Sequence, residues 1–380
     1  SKIKQICDKF RIQCSVIGKV KEDKMMHEKN GDETLALLPA DFVARGPLID
    51  REKSKPEYLS KLPSSPSSEN EMPLSDILLK LLSSPNIASK HWVFRQYDHE
   101  VGLRTVIKPG FDGSVLRLDN GKFLSVKIDG NPKHCYIDPR QGAIGCFEEA
   151  CRNVVCTGAT PIGMVDHLQF GNPEDPEIFW TFMESIEGIT DFAKSLNIPC
   201  VGGKVSFYNE TSDGPIKPTP LIGILGLIEN SPLFPIPPSI DDVILLVGKT
   251  KDELGGSEYY EYIHNFIGGN APQVDISDSK KNMNSVLSLI SKNIVKTAHD
   301  CSKGGLAIGI SELCIFGKIG CTVDLSSVSS ISSEKTLFSE SHSRYILVIE
   351  KNNLDAVKTI LSENKCSFSD LGFFSGDQIT

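Results

Sequence analysis

The sequence predicts a two-domain protein that mixes helices and strands in an α+β or α/β architecture. Apolar runs typical of buried strands alternate with segments of helical periodicity in both halves of the chain. This pattern starts again at about Ser231, which indicates a second domain. A length of 380 residues and a hydrophobic content of 39% suffice for a core in each domain.

The composition excludes several classes of protein. A formal charge of -9, with no basic cluster interleaved with aromatic residues, argues against a nucleic-acid partner. No apolar run reaches the length of about 18 residues needed to span a membrane, and the first residues, "SKIKQICDKF", lack the apolar stretch of a signal peptide. The eleven cysteines include no Cys-x-x-Cys pair, which predicts reduced thiols and a cytoplasmic protein.

The first half contains a predicted linker and then the first domain. Five prolines and seven serines between Arg45 and Asp76 are typical of a linker. A short amphipathic helix, "DILLKLLSSPNIAS", follows it, and then the strands "GSVLRL" and "KFLSVKI". A helix is predicted over 141–157, with Gly158 as its stop, and a second helix begins at the cap Asp175-Pro176. The buried face predicted for the first of these helices is Ile144, Phe147, Cys151 and Val154.

The second half repeats the mixture of strands and helices. Helices are predicted over 281–296 and 354–363. The predicted strands are "VILLVG", "GCTVDL", "RYILVIE" and "SDLGFF".

An internal repeat links the two ends of the chain. At an offset of 354 residues, "IKQICDKFRIQCSVIGKV" from Ile3 aligns with "VKTILSENKCSFSDLGFF" from Val357, with four identities. Each copy is predicted to be a helix, a short turn and a strand that closes on glycine. We therefore expect the chain to be the latter part of a longer, internally duplicated protein.

The segment "VGGKVSFYNE" is the first candidate site. It is not a Walker loop, because valine follows the lysine and the flanking residues predict a strand. Gly202 and Gly203 would still let backbone amides approach phosphate oxygens, while Lys204 supplies charge and Ser206 a hydroxyl. The alternative is an ordinary turn with a solvated lysine.

Three other polar groups are weaker candidates. Asp166 and His167 follow the apolar "PIGMV", where a carboxylate holds magnesium or a ribose hydroxyl, or simply caps a turn. His299 and Asp300 precede Gly304-Gly305 at a strand-to-helix junction, which predicts either an anion site or tight helix packing. The cluster of Glu340, Ser341, His342 and Arg344 is predicted to be a solvated edge.

These stretches, in this order, resemble the synthetase subunit of phosphoribosylformylglycinamidine synthase in its short, multi-subunit form. The resemblance runs from end to end and includes "YIDPRQGAIGCFEEACRNVVCTGATP", "DHLQFGNPEDPEIFW", "VGGKVSFYNET" and "AHDCSKGGLAIGISELC". It implies two similar halves, each an α+β N-domain followed by an α/β C-domain like those of aminoimidazole ribonucleotide synthetase. Aminoimidazole ribonucleotide synthetase itself is a less suitable match, because of the repeat and the "YDHEV" stretch.

The resemblance also divides the chain. Residues 1–45 correspond to the end of the first C-domain, 46–75 to a linker, 76–232 to the second N-domain and 233–380 to the second C-domain. The catalytic histidines and most magnesium carboxylates of the family belong to the first N-domain, which is outside this chain. No catalytic residue is therefore assigned here.

The resemblance implies an ATP-dependent ligase of purine biosynthesis that needs Mg²⁺. ATP activates the amide oxygen of formylglycinamide ribonucleotide as an iminophosphate, which ammonia from glutamine displaces. Asp166, Gly203 and Lys204 correspond to ATP-binding positions and Ser206 to a substrate-binding position. Lys204 departs from the asparagine that ligates magnesium in many members, so a contact with phosphate is favoured over metal ligation at this position.

The implied partners are a glutaminase subunit, a small accessory subunit and a second N-domain, through which this chain is expected to self-associate. The alternative is a structural or regulatory half that holds an auxiliary nucleotide without turning it over. His299, Asp300 and the Glu340 cluster could belong to such a site.

Overall fold

The computed structural model describes residues 1–46, 49–67 and 71–380, which form two compact units, Ser1–Arg51 and Glu52–Thr380. The first unit contains a helix, an antiparallel hairpin and a second, short helix. These elements are α1 (Lys2–Lys9), β1 (Met25–Asn30), β2 (Glu33–Pro39) and α2 (Ala40–Arg45).

The first copy of the predicted repeat is only partly confirmed. Its helix exists as α1, but the strand expected after it is wrong, because residues 12–20 form no strand. In the second copy the corresponding segment does form a strand, which is hydrogen-bonded to neighbours on both sides. A strand needs such neighbours, and the described residues offer none to residues 12–20.

The predicted linker lies partly outside the described residues, at 47–48 and 68–70. Within the described part it contains the short helix α3 (Tyr58–Lys61), and it ends at α4 (Leu74–Leu82), the predicted amphipathic helix. Tyr58 stacks on Tyr136 with a centroid distance of 4.5 Å, and the carbonyl oxygen of Pro63 accepts a hydrogen bond from the amide of Gly269. This part of the segment is therefore packed within the second unit. A further short helix, α5, spans His91–Phe94.

A six-stranded sheet forms the first half of the second unit, in the order β3-β4-β5-β10-β6-β7. All pairs are antiparallel except β6 and β7. Its elements, in chain order, are β3 (Thr105–Ile107), β4 (Ser114–Arg117), β5 (Phe123–Asp129), α6 (Pro132–Ile137), α7 (Pro139–Cys156), β6 (Thr160–Gln169), α8 (Pro176–Leu196), β7 (Cys200–Ser206), the short hairpin β8 (Glu210–Thr211) and β9 (Gly214–Pro215), and β10 (Thr219–Ile228).

The two long helices form where the sequence predicts them. Asp138 and Asp175 cap α7 and α8, since each carboxylate accepts a backbone N–H of the first turn and proline follows at the first helical position. The predicted apolar face of α7 is buried, and Gly158, with a φ of 82°, follows the helix end. Both helices cover the same face of the sheet, and α7 is buried on nearly every side.

A five-stranded antiparallel sheet forms the second half, in the order β12-β14-β11-β15-β13. Helix α9 begins and ends five residues before the predicted 281–296, because the Asp275 carboxylate caps the helix by accepting the amide of Asp278. The elements are β11 (Val243–Val247), α9 (Ile276–Ser291), β12 (Thr297–Asp300), α10 (Gly305–Gly317), β13 (Cys321–Val323), α11 (Ser333–Phe338), β14 (Tyr345–Ile349), α12 (Leu354–Glu363) and β15 (Phe368–Phe374).

One hydrophobic core runs from the first sheet into the second. It includes Phe147 on α7, Ile222 on β10 and Leu347 on β14, all of which are fully buried. The two sheets are therefore held together through α7, and polar residues on this helix face the second half. Among the described helices, none is both long and apolar enough to cross a membrane.

Candidate functional site

Strand β7 carries the glycine, lysine and serine of the first candidate site. It runs parallel to β6, joined to it through α8, and forms the edge of the six-stranded sheet. Residues 200–205 are exposed, and the strand has a hydrogen-bonded neighbour on one side only. The predicted strand is confirmed, so the segment is a bare sheet edge rather than a turn.

The register of β6 and β7 sorts the candidate residues onto two faces. Asp166 lies beside Gly203, and His167 lies beside Lys204. Because side chains alternate along a strand, Asp166 and Gly203 face α8, whereas Lys204 and Ser206 share the opposite, open face. The structure therefore brings Asp166 to Gly203 and Lys204 to the side of Ser206, at one end of the same strand pair.

Gly203 is required by the carboxylate beside it. A Cβ atom at this position would lie 2.5 Å from Oδ1 of Asp166 and 2.7 Å from Oδ2. The Cys200 thiol donates to Oδ2 of Asp166 over 3.4 Å, which fixes the carboxylate against the glycine. The neighbouring Gly202 is not constrained in this way, since its nearest side chain would be Val165 at 3.9 Å.

A cavity of about 760 Å³ adjoins this carboxylate, between α8 and the two strands. Its walls are mostly apolar and include Ile186, Ile189 and Ala193 of α8, while Asp166 contributes a carboxylate and Gly203 and Lys204 of β7 line its edge. Ligand sites commonly combine a concave, mainly apolar surface with a few placed polar groups. The dimensions fit a ligand of nucleotide size.

Ser206 is held by the loop that follows it. Its hydroxyl lies 3.2 Å from Nδ2 of Asn209, and the same amide donates to the carbonyl oxygens of Ser206, at 2.8 Å, and of Phe170, at 3.0 Å. This loop fixes the end of β7, so the hydroxyl has a defined position on the open face.

The second candidate group, at the end of β12, is buried and charged. Arg152 of α7 donates to Glu148 on its own helix and, over 3.3 Å, to Asp300. Asn153 also donates to Asp300, over 3.3 Å. Burial would raise the pKa of Glu148, but Arg152 and His342 hold it at about 2. Helix α7 thus meets the second half through a paired network of charges.

The side chain of His299 lies within 4.8 Å of Asp112 and Asp300, a group that could hold a metal ion. Its Nδ1 lies 2.9 Å from Asp112, and its Nε2 lies 2.9 Å from Glu312, so both ring nitrogens already contact carboxylates. Burial would lower the pKa of His299, but these two carboxylates raise it well above its ordinary value. An imidazolium has no lone pair for a cation.

Asn153 joins two carboxylates beside this triad. Its side-chain NH₂ group donates to Oδ2 of Asp129 over 3.1 Å and to Oδ2 of Asp300 over 3.3 Å, and its amide oxygen accepts from Nζ of Lys127 over 3.1 Å. Burial raises the pKa of Asp129 to about 8, although Lys127 opposes the shift. An NH₂ group is a hydrogen-bond donor and cannot ligate a cation, so in this arrangement Asn153 pairs the two carboxylates. The described group that could hold a divalent cation is Asp112, His299 and Asp300, through its carboxylate oxygens.

The structure corrects the prediction for the Glu340 cluster and decides between the two predictions for the start of α10. The Glu340 cluster is buried, so the predicted solvated edge is wrong. Oε1 of Glu340 accepts the amides of Gly304 and Glu258, each over 2.8 Å. Burial would raise the pKa of Glu340, but His134, Lys133 and the Gly304 amide hold it at about 2. The N-terminus of α10 thus already holds a carboxylate of the chain, which favours tight packing over a free anion site.

The residues that sequence reasoning missed are charged residues of α7 and its neighbours. Their i,i+4 spacing, as in Glu148 and Arg152, is also typical of a solvated helix face. The one signal of burial in the sequence was that apolar residues occur on the other sides of α7. Such a helix has no side left for solvent. The missed residues are Asp112, Lys127, Asp129, Glu148, Arg152 and Asn153.

Comparison with known proteins decides the family. The profile described as "AIR synthase related protein, N-terminal domain" matches residues 110–228, and the corresponding C-terminal domain profile matches residues 239–379. The chain belongs to the AIR synthase related family. The N-terminal profile covers the six-stranded sheet from β4 to β10, and the C-terminal one covers the five-stranded sheet.

The closer relationship agrees with the resemblance found in the sequence. Phosphoribosylformylglycinamidine synthase subunit PurL of Methanobrevibacter smithii is 44% identical over 95% of this chain and 51% of its own length. Two Thermotoga maritima PurL structures, one complexed with FGAR and one with ATP, share the fold with TM-scores of 0.68 and 0.65. At 19% and 20% identity, they cover 81% of this chain and 50% and 49% of their own chains. The chain spans about half the length of the relatives it matches.

Proposed function

We propose that this chain forms part of a phosphoribosylformylglycinamidine synthase. The complete enzyme would convert formylglycinamide ribonucleotide, ammonia from glutamine, and ATP to formylglycinamidine ribonucleotide, ADP and phosphate. The observation that carries this proposal is the Asp166 carboxylate held against Gly203 beside a cavity of about 760 Å³, in a chain 44% identical to PurL. The division of the chain at residues 45, 75 and 232 and a cytoplasmic location belong to the same proposal.

The two faces of the edge strand suggest a division of labour. Asp166 and the bare backbone of Gly203 would bind ATP on the α8 side. Ser206 would bind the ribonucleotide from the open side, and Lys204 would contact the ATP or substrate phosphates at the exposed edge of β7, where the two ligands would meet. A cation there stabilises the charge that develops when phosphate transfers to the amide oxygen. Lys204 cannot ligate Mg²⁺, so the magnesium that serves ATP would be held by residues outside this strand.

The chain alone is expected to be inactive. Strand β7 is exposed, and the catalytic histidine implied by the resemblance lies outside this chain. The test is phosphate release from ATP by the isolated chain with formylglycinamide ribonucleotide and ammonia. We expect no release above the rate without ribonucleotide. Turnover at the rate of a complete PurL would contradict this part of the proposal.

Substitution of Lys204 in the complete enzyme tests the phosphate contact. Lys204→Ala should weaken ligand binding or slow phosphoryl transfer by about 1.5–3 kcal/mol, as expected for a charge-assisted hydrogen bond. Lys204→Asn should lose less activity and depend more steeply on Mg²⁺ concentration, because an amide oxygen can ligate the ion. Wild-type kinetics for both variants at every Mg²⁺ concentration would show that Lys204 is a solvated side chain that does not contact phosphate.

The open face of the six-stranded sheet is the proposed self-association surface. Ile128 on β5, Val165 on β6 and Val201 on β7 are 67%, 38% and 63% exposed. Ile128 and Val165 would both contact a Cβ at Gly223, at 3.5 and 2.8 Å, so they are neighbours on that face. An apolar sheet face next to a bare strand edge favours pairing with a second domain. A glutaminase and a small accessory subunit would be further partners of the complete enzyme.

Light scattering with a matched pair of variants tests this surface. Val165→Lys should shift the chain toward monomer, whereas Ile315→Lys, at a 64% exposed position of α10, should not. A wild-type chain that stays monomeric at every accessible concentration would refute self-association.

A second candidate function rests on the group of Asp112, His299 and Asp300, whose possible ligand atoms lie within 4.8 Å of one another. The carboxylates of Asp112 and Asp300 would hold Mg²⁺ with an auxiliary nucleotide that is not turned over, and bound Mg²⁺ would neutralise its phosphates. Glu340 does not support this role, because its carboxylate already accepts two backbone amides. Calorimetry of ADP with the isolated chain distinguishes the two sites. Binding that survives Lys204→Ala and Ser206→Ala but is lost in Asp300→Asn would locate the nucleotide at the buried site.

A further inference from the structure

Two cysteines face each other at the end of helix α10. Cys314 lies in the last turn of the helix, and Cys321 begins strand β13 after a turn through Lys318, whose φ is 52°. The Cys314 thiol donates to Sγ of Cys321 over 3.6 Å. Both residues are free thiols with relative exposures of 6% and 0%. The pair is remote from the proposed ATP and substrate residues in the other half of the unit.

A small movement would bring the two sulfur atoms to the distance of a disulfide bond. A disulfide has a sulfur separation of about 2.05 Å, so the two sulfur atoms must approach by about 1.5 Å. Strand β13 is the outermost strand of its sheet, and its outer side is hydrogen-bonded to the C-terminal segment 376–380. Local opening of a terminal segment is one of the low-energy motions of a fold. Separation of this segment would let a small oxidant reach the sulfurs without global unfolding.

We propose that Cys314 and Cys321 form a reversible disulfide when the protein meets a hydroperoxide. The Cys321 sulfur attacks the peroxide, forming an S–O bond as the O–O bond breaks, and water leaves from hydrogen peroxide. The Cys314 sulfur then attacks the sulfenic acid, forming the S–S bond and releasing the second water. The two thiols together lose two electrons and two protons, and the peroxide is reduced by the same two electrons.

The hydrogen bond assigns the attacking sulfur. Donation from Cys314 lowers the pKa of Cys321, against the effect of burial, and a thiolate is the nucleophile in this chemistry. The same contact raises the pKa of Cys314. We take Cys321 as the sulfur that reacts first and Cys314 as the resolving sulfur, an order that the variants below test.

A second pair of neighbouring thiols, Cys135 and Cys146, provides an internal control. Both are buried, and burial together with the side-chain hydrogen bond between Cys135 and Cys146 raises the pKa of Cys135. The Cys146 sulfur also accepts the amide of Asn131 over 3.1 Å, within the packed contact of α6 and α7. This pair lies in the interior of the fold rather than at a sheet edge, so it should oxidise more slowly.

Peptide mapping gives a direct test, because trypsin cuts between the two cysteines at Lys318. The folded chain is treated with hydrogen peroxide, alkylated before unfolding and digested. A disulfide would join peptide 304–318 to peptide 319–335, each of which contains one cysteine. This joined species should exceed the one linking 134–140 to 141–152 by roughly tenfold or more, and dithiothreitol should abolish it.

Two variants test the order of attack. Cys314→Ser should leave a sulfenic acid on Cys321, detected as a dimedone adduct of peptide 319–335, whereas Cys321→Ser should leave peptide 304–318 unlabelled. The reverse pattern would overturn the assignment of the attacking sulfur. Failure to find the joined peptides, with Cys314 and Cys321 oxidised no faster than the control pair, would overturn the proposal. Both variants are compared with the wild type by circular dichroism, so that loss of fold is recognised.

Discussion

The edge strand β7 and the buried junction of α7 with β12 are two polar regions of opposite design. At the edge strand, the backbone and Lys204 are exposed and have few partners within the chain. At the junction, Glu148, Arg152 and Asp300 are buried and hydrogen-bonded to one another. Polar groups left in water cost the fold little, whereas buried charges must be paired. The exposed edge strand can therefore bind ligands without loss of stability, whereas the buried junction stabilises the fold.

The largest expected effect comes from breaking a buried pair. Glu148→Gln would leave Arg152 in the interior with Asp300 as its remaining carboxylate, and the free energy of unfolding should fall by about 3–5 kcal/mol. The matched control is Glu187→Gln, which breaks a pair with Arg140 at 2.8 Å on the surface and should cost at most about 1 kcal/mol. Urea denaturation measures both. Equal losses would remove the distinction between the two regions.

A somewhat smaller effect is expected from acid. In the folded chain the pKa of Glu148 is lowered from 4.5 to about 2, so its stabilising contribution is complete above pH 4.5 and is lost as the pH falls toward 2. The loss should be on the order of 3 kcal/mol for this group. Urea midpoints between pH 7 and 2.5 would show it. Glu148→Gln should flatten the curve; an unchanged slope would mean that other carboxylates dominate acid unfolding.

The glycines of β7 give a smaller and more local contrast. Gly203→Ala would place a methyl group 2.5 Å from the Asp166 carboxylate and should destabilise the chain by about 1–3 kcal/mol, or displace the carboxylate instead. In the complete enzyme it should weaken ATP binding. Gly202→Ala meets no atom closer than 3.9 Å and serves as the matched control. Thermal unfolding and ATP titration of both variants would decide, and equal effects would contradict the fixed position of Asp166.

The smallest effect is expected at Lys204. Lys204→Ala should change the free energy of unfolding by less than about 0.5 kcal/mol, because the side chain is exposed. A loss above about 1 kcal/mol in urea denaturation would show that the lysine stabilises the sheet edge. A loss of activity in Lys204→Ala would then no longer be evidence for a phosphate contact.

The sequence predicted a strand at β7, from the apolar residues that flank it, but predicted neither its position at the sheet edge nor which side chains share a face. The register that puts Asp166 beside Gly203 depends on how α8 packs, over 21 residues, before the chain returns to the sheet. Such long-range packing leaves no local pattern.

The buried polar residues of the second half were predicted least well. Glu340 and Arg344 were expected in solvent because isolated polar residues are usually exposed. Their burial follows from partners distant in sequence, such as Gly304 and Thr250. The missing strand at residues 12–20 has a similar explanation, since strand formation depends on neighbours as well as on the local sequence.

The parallel pairing of β6 and β7 has a consequence for local opening. Strand β7 is hydrogen-bonded on one side only and is separated from β6 by an entire helix, so its amides should exchange with solvent faster than those of β10 at the centre of the same sheet. A ligand held between Asp166 on β6 and the backbone of β7 would bind the closed pair and disfavour its separation. A ligand bound at this edge would therefore also hold in place the strand that carries Lys204 and Ser206.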